Sequence, residues 1–278
     1  MPTKPVITND QSPPPAPGTL AARLNKHQQF VSRLVEEHHD LIVYLPPMYE
    51  AEGRRRFPVL YMQDGQNLFD PETSFIKGNY WRLGETADAL AAAGTMEPLI
   101  IVGIYNSGPK RLDEYTPIED KRLGGGHADA YGRMLVEELK PFIDAQYRTL
   151  PGAENCGLGG SSLGGLVTLY LGLRYPSEFS RLAVMSPSVW WRKRTILKTV
   201  AALAKKPELS IWLDMGTRES TRAVADARLL RDGLINKGWQ LGKNLAYCEA
   251  EGAEHTESAW AERAGPMLRF LFPPGGKG

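Results

Sequence analysis

Ten residues, "GLGGSSLGGL" at 157–166, carry two adjacent serines among five glycines. Three chemistries use a loop of this kind. A phosphate-binding Walker loop needs Gly-Lys-Ser/Thr, and this stretch has no lysine. A dinucleotide loop needs G-x-G-x-x-G. Gly157 and Gly159 fit it, but position 162 is serine, and the next strand-like segment, "SRLAVMSP", ends without an acidic residue to hold a ribose. The third is the nucleophile elbow, G-x-S-x-G, a serine on a sharp turn between a strand and a helix. Such a turn strains the nucleophile's backbone and brings strand and helix close, so the residues two before and two after it must be small. Ser162 has Gly160 and Gly164 at those places, whereas Ser161 has Leu163 after it. The spacing selects Ser162.

A serine hydroxyl needs a base, and the base needs an orienting carboxylate. In folds with a nucleophile elbow the chain order is Ser, then Asp or Glu, then His. Of five histidines only His255 follows Ser162, in "EGAEHTESAW", between the last strand-like and the last helix-like segment. The acid follows or ends "LSIWLDMG", which leaves Asp214 inside the strand and Glu219 in the loop after it. The loop position favours Glu219, because orienting carboxylates sit beyond strand ends. An oxyanion hole needs two backbone N–H groups. The residue after the nucleophile, Leu163, supplies one. The turn "DGQN" supplies the other, at Gln66.

These residues need elements to position them. Apolar runs at 38–46, 57–65, 97–106, 155–160, 180–187, 209–216 and 244–252 read as strands. Helical spacing is present at 86–94, 130–147, 163–176, 221–236 and 257–272. Alternation of this kind makes an α/β fold, a mainly parallel sheet with helices on both faces and its site at the carboxyl ends of the strands. The tail 1–18, "MPTKPVITNDQSPPPAPG", is proline-rich and polar and reads as flexible. Residues 19–278 read as one domain.

The charge balance, 33 basic against 32 acidic residues, gives no reason to expect nucleic acid or an anionic membrane as partner. No run of about 18 apolar residues suggests a membrane span. The N-terminus has no signal-peptide core, which fits a cytoplasmic protein. Cys156 and Cys248 form no CxxC pair and read as free, buried thiols. No metal or other cofactor is called for: HExxH is missing, and His38 and His39, adjacent on a strand, face opposite ways.

The segments "VYLPPMYE", "FPVLYMQDGQNLFD", "IIVGIYNSG", "RLDEYTP", "GSSLGGL", "SPSVWW", "DMGTRE" and "GAEHTESAW" occur in that order. Together, over about residues 20 to 272, the chain resembles the "Putative esterase" family of α/β hydrolases. That family includes esterase D, feruloyl and acetylxylan esterases, enterochelin-type siderophore esterases and mycolyltransferases. The resemblance implies an α/β-hydrolase fold and a serine carboxylesterase acting on a small-molecule ester. It implies a triad of Ser162, Glu219 and His255, aromatics Trp190 and Trp191 beside the site, and a bordering segment with Arg111, Glu114 and Tyr115. Siderophore or carbohydrate acyl esters remain open as substrates, as does acyl transfer to an alcohol in place of water.

Overall fold

The computed structural model describes Ala16 and residues 18–275. The expected tail therefore lies outside the described residues, apart from Ala16 and Gly18. Eight strands form one sheet: β1 (Leu24–Phe30), β2 (His39–Tyr44), β3 (Val59–Gln63), β4 (Ile100–Ile104), β5 (Cys156–Ser161), β6 (Arg181–Met185), β7 (Ser210–Gly216) and β8 (Leu245–Ala250). Their order is β1-β2-β4-β3-β5-β6-β7-β8. The first two pairings are antiparallel, and every pairing from β4 through β8 is parallel.

Eight helices accompany the strands among the described residues: α1 (Leu83–Ala92), α2 (Arg111–Glu114), α3 (Ala128–Met134), α4 (Lys140–Gln146), α5 (Leu163–Arg174), α6 (Trp191–Ala202), α7 (Thr221–Lys237) and α8 (Glu257–Leu271). The core lies on both faces of the sheet, as side-chain alternation along a strand requires. In β3, Val59 and Tyr61 join the cluster containing Leu135, Leu166, Ile196 and Leu230. Leu60 and Met62 join the cluster containing Leu90 of α1 and Trp260 and Met267 of α8. No helix among the described residues is long and apolar enough to cross a membrane.

Each strand expected from the sequence is present, within a few residues of its expected ends. Three differences have physical reasons. β1, "LNKHQQF", was not expected: it is a polar edge strand, half in solvent, with no apolar run to reveal it. The single helix expected over 130–147 is interrupted by a wider π turn at Leu135–Leu139, just before Pro141, which has no N–H to continue the ladder. α6 was also missed. Its first turn holds Arg192, Lys193 and Arg194 in left-handed backbone, with φ of 44°, 55° and 61°, a poor match to a regular helical pattern. Cys156 and Cys248 are free thiols, the first buried and the second half-buried.

The β5–α5 connection shows why small residues flank the turn. A Cβ on Gly160 would lie 2.8 Å from Gln63 Cβ and 2.9 Å from the backbone carbon of Gly164, and one on Gly165 would lie 2.8 Å from the Met185 carbonyl oxygen. Strand and helix pass with no room for a methyl group. Gly160→Ala is therefore expected to destabilise the protein by about 1–3 kcal/mol, the usual cost of overpacking. Urea unfolding checks this, and an unchanged midpoint would contradict the close approach.

Candidate active site

The parallel strands end at one edge of the sheet, and the loops leaving them there carry the residues of interest. Ser162 follows β5 with φ 59° and ψ −122°, a conformation strongly disfavoured for a residue with a side chain. Its N–H donates to the Met185 carbonyl (3.1 Å), and its own carbonyl accepts from the N–H groups of Leu166 (3.1 Å) and Ser188 (3.0 Å). The turn is thus held on both sides, and Ser162 Oγ lies 3.3 Å from Ser188 Oγ. Ser161, its neighbour, is buried as the last residue of β5.

The loops after β7 and β8 are bound to each other. Arg218 N–H donates to the Ala253 carbonyl (3.0 Å), and Gly252 N–H donates to Thr217 Oγ1 (2.9 Å). This pairing brings Glu219 to His255: the two are joined between Nδ1 and Oε2 at 2.6 Å. The other carboxylate oxygen, Oε1, accepts from Ser186 Oγ (2.5 Å) and from the Gly216 N–H (2.9 Å). Burial alone would raise the Glu219 pKa. The bonds from His255, Ser186 and Gly216 outweigh it and hold the carboxyl below its usual value, so it is ionised at neutral pH.

Asp214 sits differently. It has no exposed surface. Its oxygens accept from Trp212 Nε1 (2.8 Å) and the Ser186 N–H (3.1 Å), and Arg263 Nη2 is 3.3 Å away. Burial raises its pKa, with Arg263 opposing. Nothing joins it to His255. Of the two acids left open by the sequence, Glu219 is the one that touches the histidine.

Ser162, Leu163, Glu219 and His255 line one cleft of about 330 Å³, together with Trp190, Ser186, Ser188 and Met215. The Leu163 N–H, at the start of α5, has no hydrogen-bond partner among the described residues, and neither has the Gln66 N–H in the 3₁₀ turn Gly65–Asn67. That turn is pressed onto β4: a Cβ on Gly65 would lie 2.4 Å from the Gly103 carbonyl carbon.

Gln66, Tyr115, Arg111 and Trp191, all expected at the site, are not among the residues that line this cleft. Tyr115 has no exposed surface, and its hydroxyl accepts from the Asp64 N–H (3.2 Å). Arg111 clamps Asp64 through Nε (2.7 Å) and Nη2 (2.8 Å). Both hold the turn before Gln66. Trp191 is buried, its Nε1 donating to the Ile118 carbonyl (2.8 Å), while Trp190 is 44% exposed and lies in the lining. Glu114, from the same segment as Arg111, is buried against His39 Nε2 (3.1 Å) and Ser107. The sequence did not single out Ser186, Ser188, Asp64, Trp260 or Arg263. Only the positions of Ser186 and Ser188 just after β6 could have pointed to them.

A mostly parallel eight-stranded sheet with a serine on a strained strand-to-helix turn is the α/β-hydrolase fold. The chain belongs to the family described as "Putative esterase", matching it over residues 32–271, and is by class a carboxylic ester hydrolase. It is 29% identical over 252 residues to uncharacterized protein YjcH of Bacillus subtilis (strain 168), covering 89% of this chain and 97% of that one. It is 28% identical over 244 residues to the ferri-bacillibactin esterase BesA of the same organism, covering 79% of this chain and 80% of that one. A similar fold is that of an IroE-like serine hydrolase from Shewanella oneidensis, with TM-score 0.72, 22% identity, and 90% and 80% of the two chains covered.

The two acids separate in one experiment. Glu219→Gln keeps shape but loses charge, and turnover is expected to fall roughly 1000- to 10,000-fold as in other triads. Asp214→Asn puts an amide among donors, and is expected to cost about 1–3 kcal/mol of stability with a much smaller effect on turnover. Kinetics and thermal melts of both variants check this. A folded but inactive Asp214→Asn beside an active Glu219→Gln would reverse the roles.

Proposed function

We propose that the chain is a serine carboxylesterase working through an acyl-enzyme on Ser162, with His255 as base and Glu219 orienting it. The observation that carries the reading is the convergence of a strained, cleft-lining Ser162 with a His255 already bonded to an ionised, buried Glu219. In the neutral imidazole, donation from Nδ1–H to Glu219 leaves Nε2 as the nitrogen with the free lone pair. As Ser162 Oγ attacks the ester carbonyl, Nε2 takes its proton. The tetrahedral oxyanion then receives the unpartnered N–H groups of Leu163 and Gln66, the former at a helix N-terminus where negative charge is favoured. Collapse expels the alcohol, which takes the proton from His255. Water, deprotonated by the same nitrogen, hydrolyses the acyl-enzyme and restores Ser162.

The half-exposed indole of Trp190 gives the cleft a flat apolar wall, suited to an ester whose acyl or alcohol part carries a ring. A second, narrower reading is a siderophore ester. The similarity to a protein named ferri-bacillibactin esterase favours it.

A fluorophosphonate probe is expected to label the peptide containing Ser162. Ser162→Ala abolishes labelling and Ser161→Ala keeps it; labelling that survives Ser162→Ala refutes the assignment. Activity on p-nitrophenyl esters, aryl carbohydrate esters and a cyclic trilactone siderophore then separates the substrate readings.

Gln66→Ala should be mild, because the amide donor remains. Gln66→Pro removes the N–H itself and is expected to lower kcat roughly 100- to 1000-fold. A folded Gln66→Pro protein of near-normal kcat would remove Gln66 from the oxyanion hole.

A further inference from the structure

Ser186 follows β6 with φ 40°, a left-handed conformation that costs free energy for a residue with a Cβ, and it is almost completely buried. Glycine would fit this backbone better, so the hydroxyl has some use that offsets the strain. Its oxygen meets three partners. Trp260 Nε1 donates to it at 3.0 Å, Arg263 Nη2 donates to it at 2.9 Å, and Glu219 Oε1 lies 2.5 Å away.

A hydroxyl has two lone pairs and one proton. Indole and guanidinium nitrogens only donate, so Trp260 and Arg263 occupy both lone pairs. The single proton then has one acceptor left, Glu219 Oε1. With the Gly216 N–H also on Oε1, that oxygen is committed to two donors, and Oε2 is left for His255 Nδ1–H. Trp260 acts a second time: its ring meets the His255 imidazole edge to face, with centroids 4.9 Å apart.

We propose that Ser186 is a positioning residue of the active site: its hydroxyl proton, oriented by Trp260 and Arg263, fixes the rotamer of Glu219 and through it the Nδ1–H tautomer of His255. This rests on the reading of Ser162, Glu219 and His255 as the triad. The chain of hydrogen bonds runs from α8 through Ser186 and Glu219 to the histidine, and its last link leaves Nε2 free to take a proton. It also ties the buried Arg263 cation to the site. Arg263 Nη2 stands 3.8 Å from Glu219 Oε1 as well as 3.3 Å from Asp214.

Ser186→Gly separates this role from a structural one. A merely structural Ser186 predicts that glycine relieves the left-handed strain and leaves kcat unchanged. A positioning Ser186 predicts that kcat falls about 10- to 100-fold, the worth of a hydrogen bond to a charged group, with KM little changed. The downfield proton resonance of the His255 Nδ1–H should also weaken or move. Trp260→Phe keeps the ring against His255 but frees one lone pair of Ser186, and is expected to lower kcat about 2- to 10-fold with the same shift of the resonance. Ser186→Ala serves as a second deletion of the hydroxyl should the glycine variant not fold. Folded Ser186→Gly or Ser186→Ala protein with wild-type kcat and an unmoved resonance overturns the positioning role. Ser162→Ala in the same assay tells the two failures apart: activity that survives it overturns the triad reading itself, whereas its loss beside a fully active Ser186→Gly overturns only the role of Ser186.

Discussion

The left-handed turn at Ser162 is the constraint on which the site depends. A residue in such a conformation costs on the order of 1–3 kcal/mol and persists only when its surroundings over-determine it. Here they do so by backbone hydrogen bonds to Met185 and Ser188, and by contact between β5, β3 and α5 too close for any side chain at Gly160. The turn points the hydroxyl out of the sheet into the cleft and leaves the Leu163 N–H unpaired among the described residues. A relaxed turn would lose both at once, since the same φ and ψ angles set the direction of each.

Behind this turn lies a buried polar layer. Asp214, Arg263, Ser186 and Glu219 bring two carboxyls and a guanidinium into the interior, where an isolated charge is expensive. Their mutual bonds and the donors from Trp212, Trp260 and Gly216 offset most of that cost. Among the described residues, Arg263 still has Nε and Nη1 buried without a partner. The layer is therefore not the cheapest packing of this space. Its paired donors run in one direction, from Trp260 and Arg263 Nη2 to Ser186 Oγ and from Ser186 Oγ to Glu219 Oε1.

On the other side of Ser162 the turn Asp64–Asn67 is held as firmly. Asp64 is itself left-handed, with φ 57°. Its carboxylate receives two bonds from Arg111 and one from Asn106, and its N–H is met by Tyr115. A bidentate guanidinium–carboxylate pair fixes geometry better than a single contact. Arg111 and Tyr115, expected from the sequence to border the substrate, thus hold the turn that precedes Gln66.

Local rules made much of this legible in the chain itself. Apolar runs marked the parallel strands, because a central strand must be apolar on both faces. Gly160 and Gly164 singled out Ser162, because the steric demand of the turn acts on neighbours two residues away. His255 stood alone after the serine. Where the polar edge strand β1 and the irregular start of α6 carried no periodic signal, the sequence was silent. It could name Glu219 and Asp214 but not decide between them by contact. That depended on the β7 and β8 loops being tied together through Arg218, Ala253, Thr217 and Gly252. Ser186, Trp260 and Arg263 meet over separations of 74 and 77 residues. Trp190 and Trp191 are neighbours in the chain, yet one faces the cleft and the other the core. Such pairings follow from how strands and helices stack, and no spacing along a single chain encodes them.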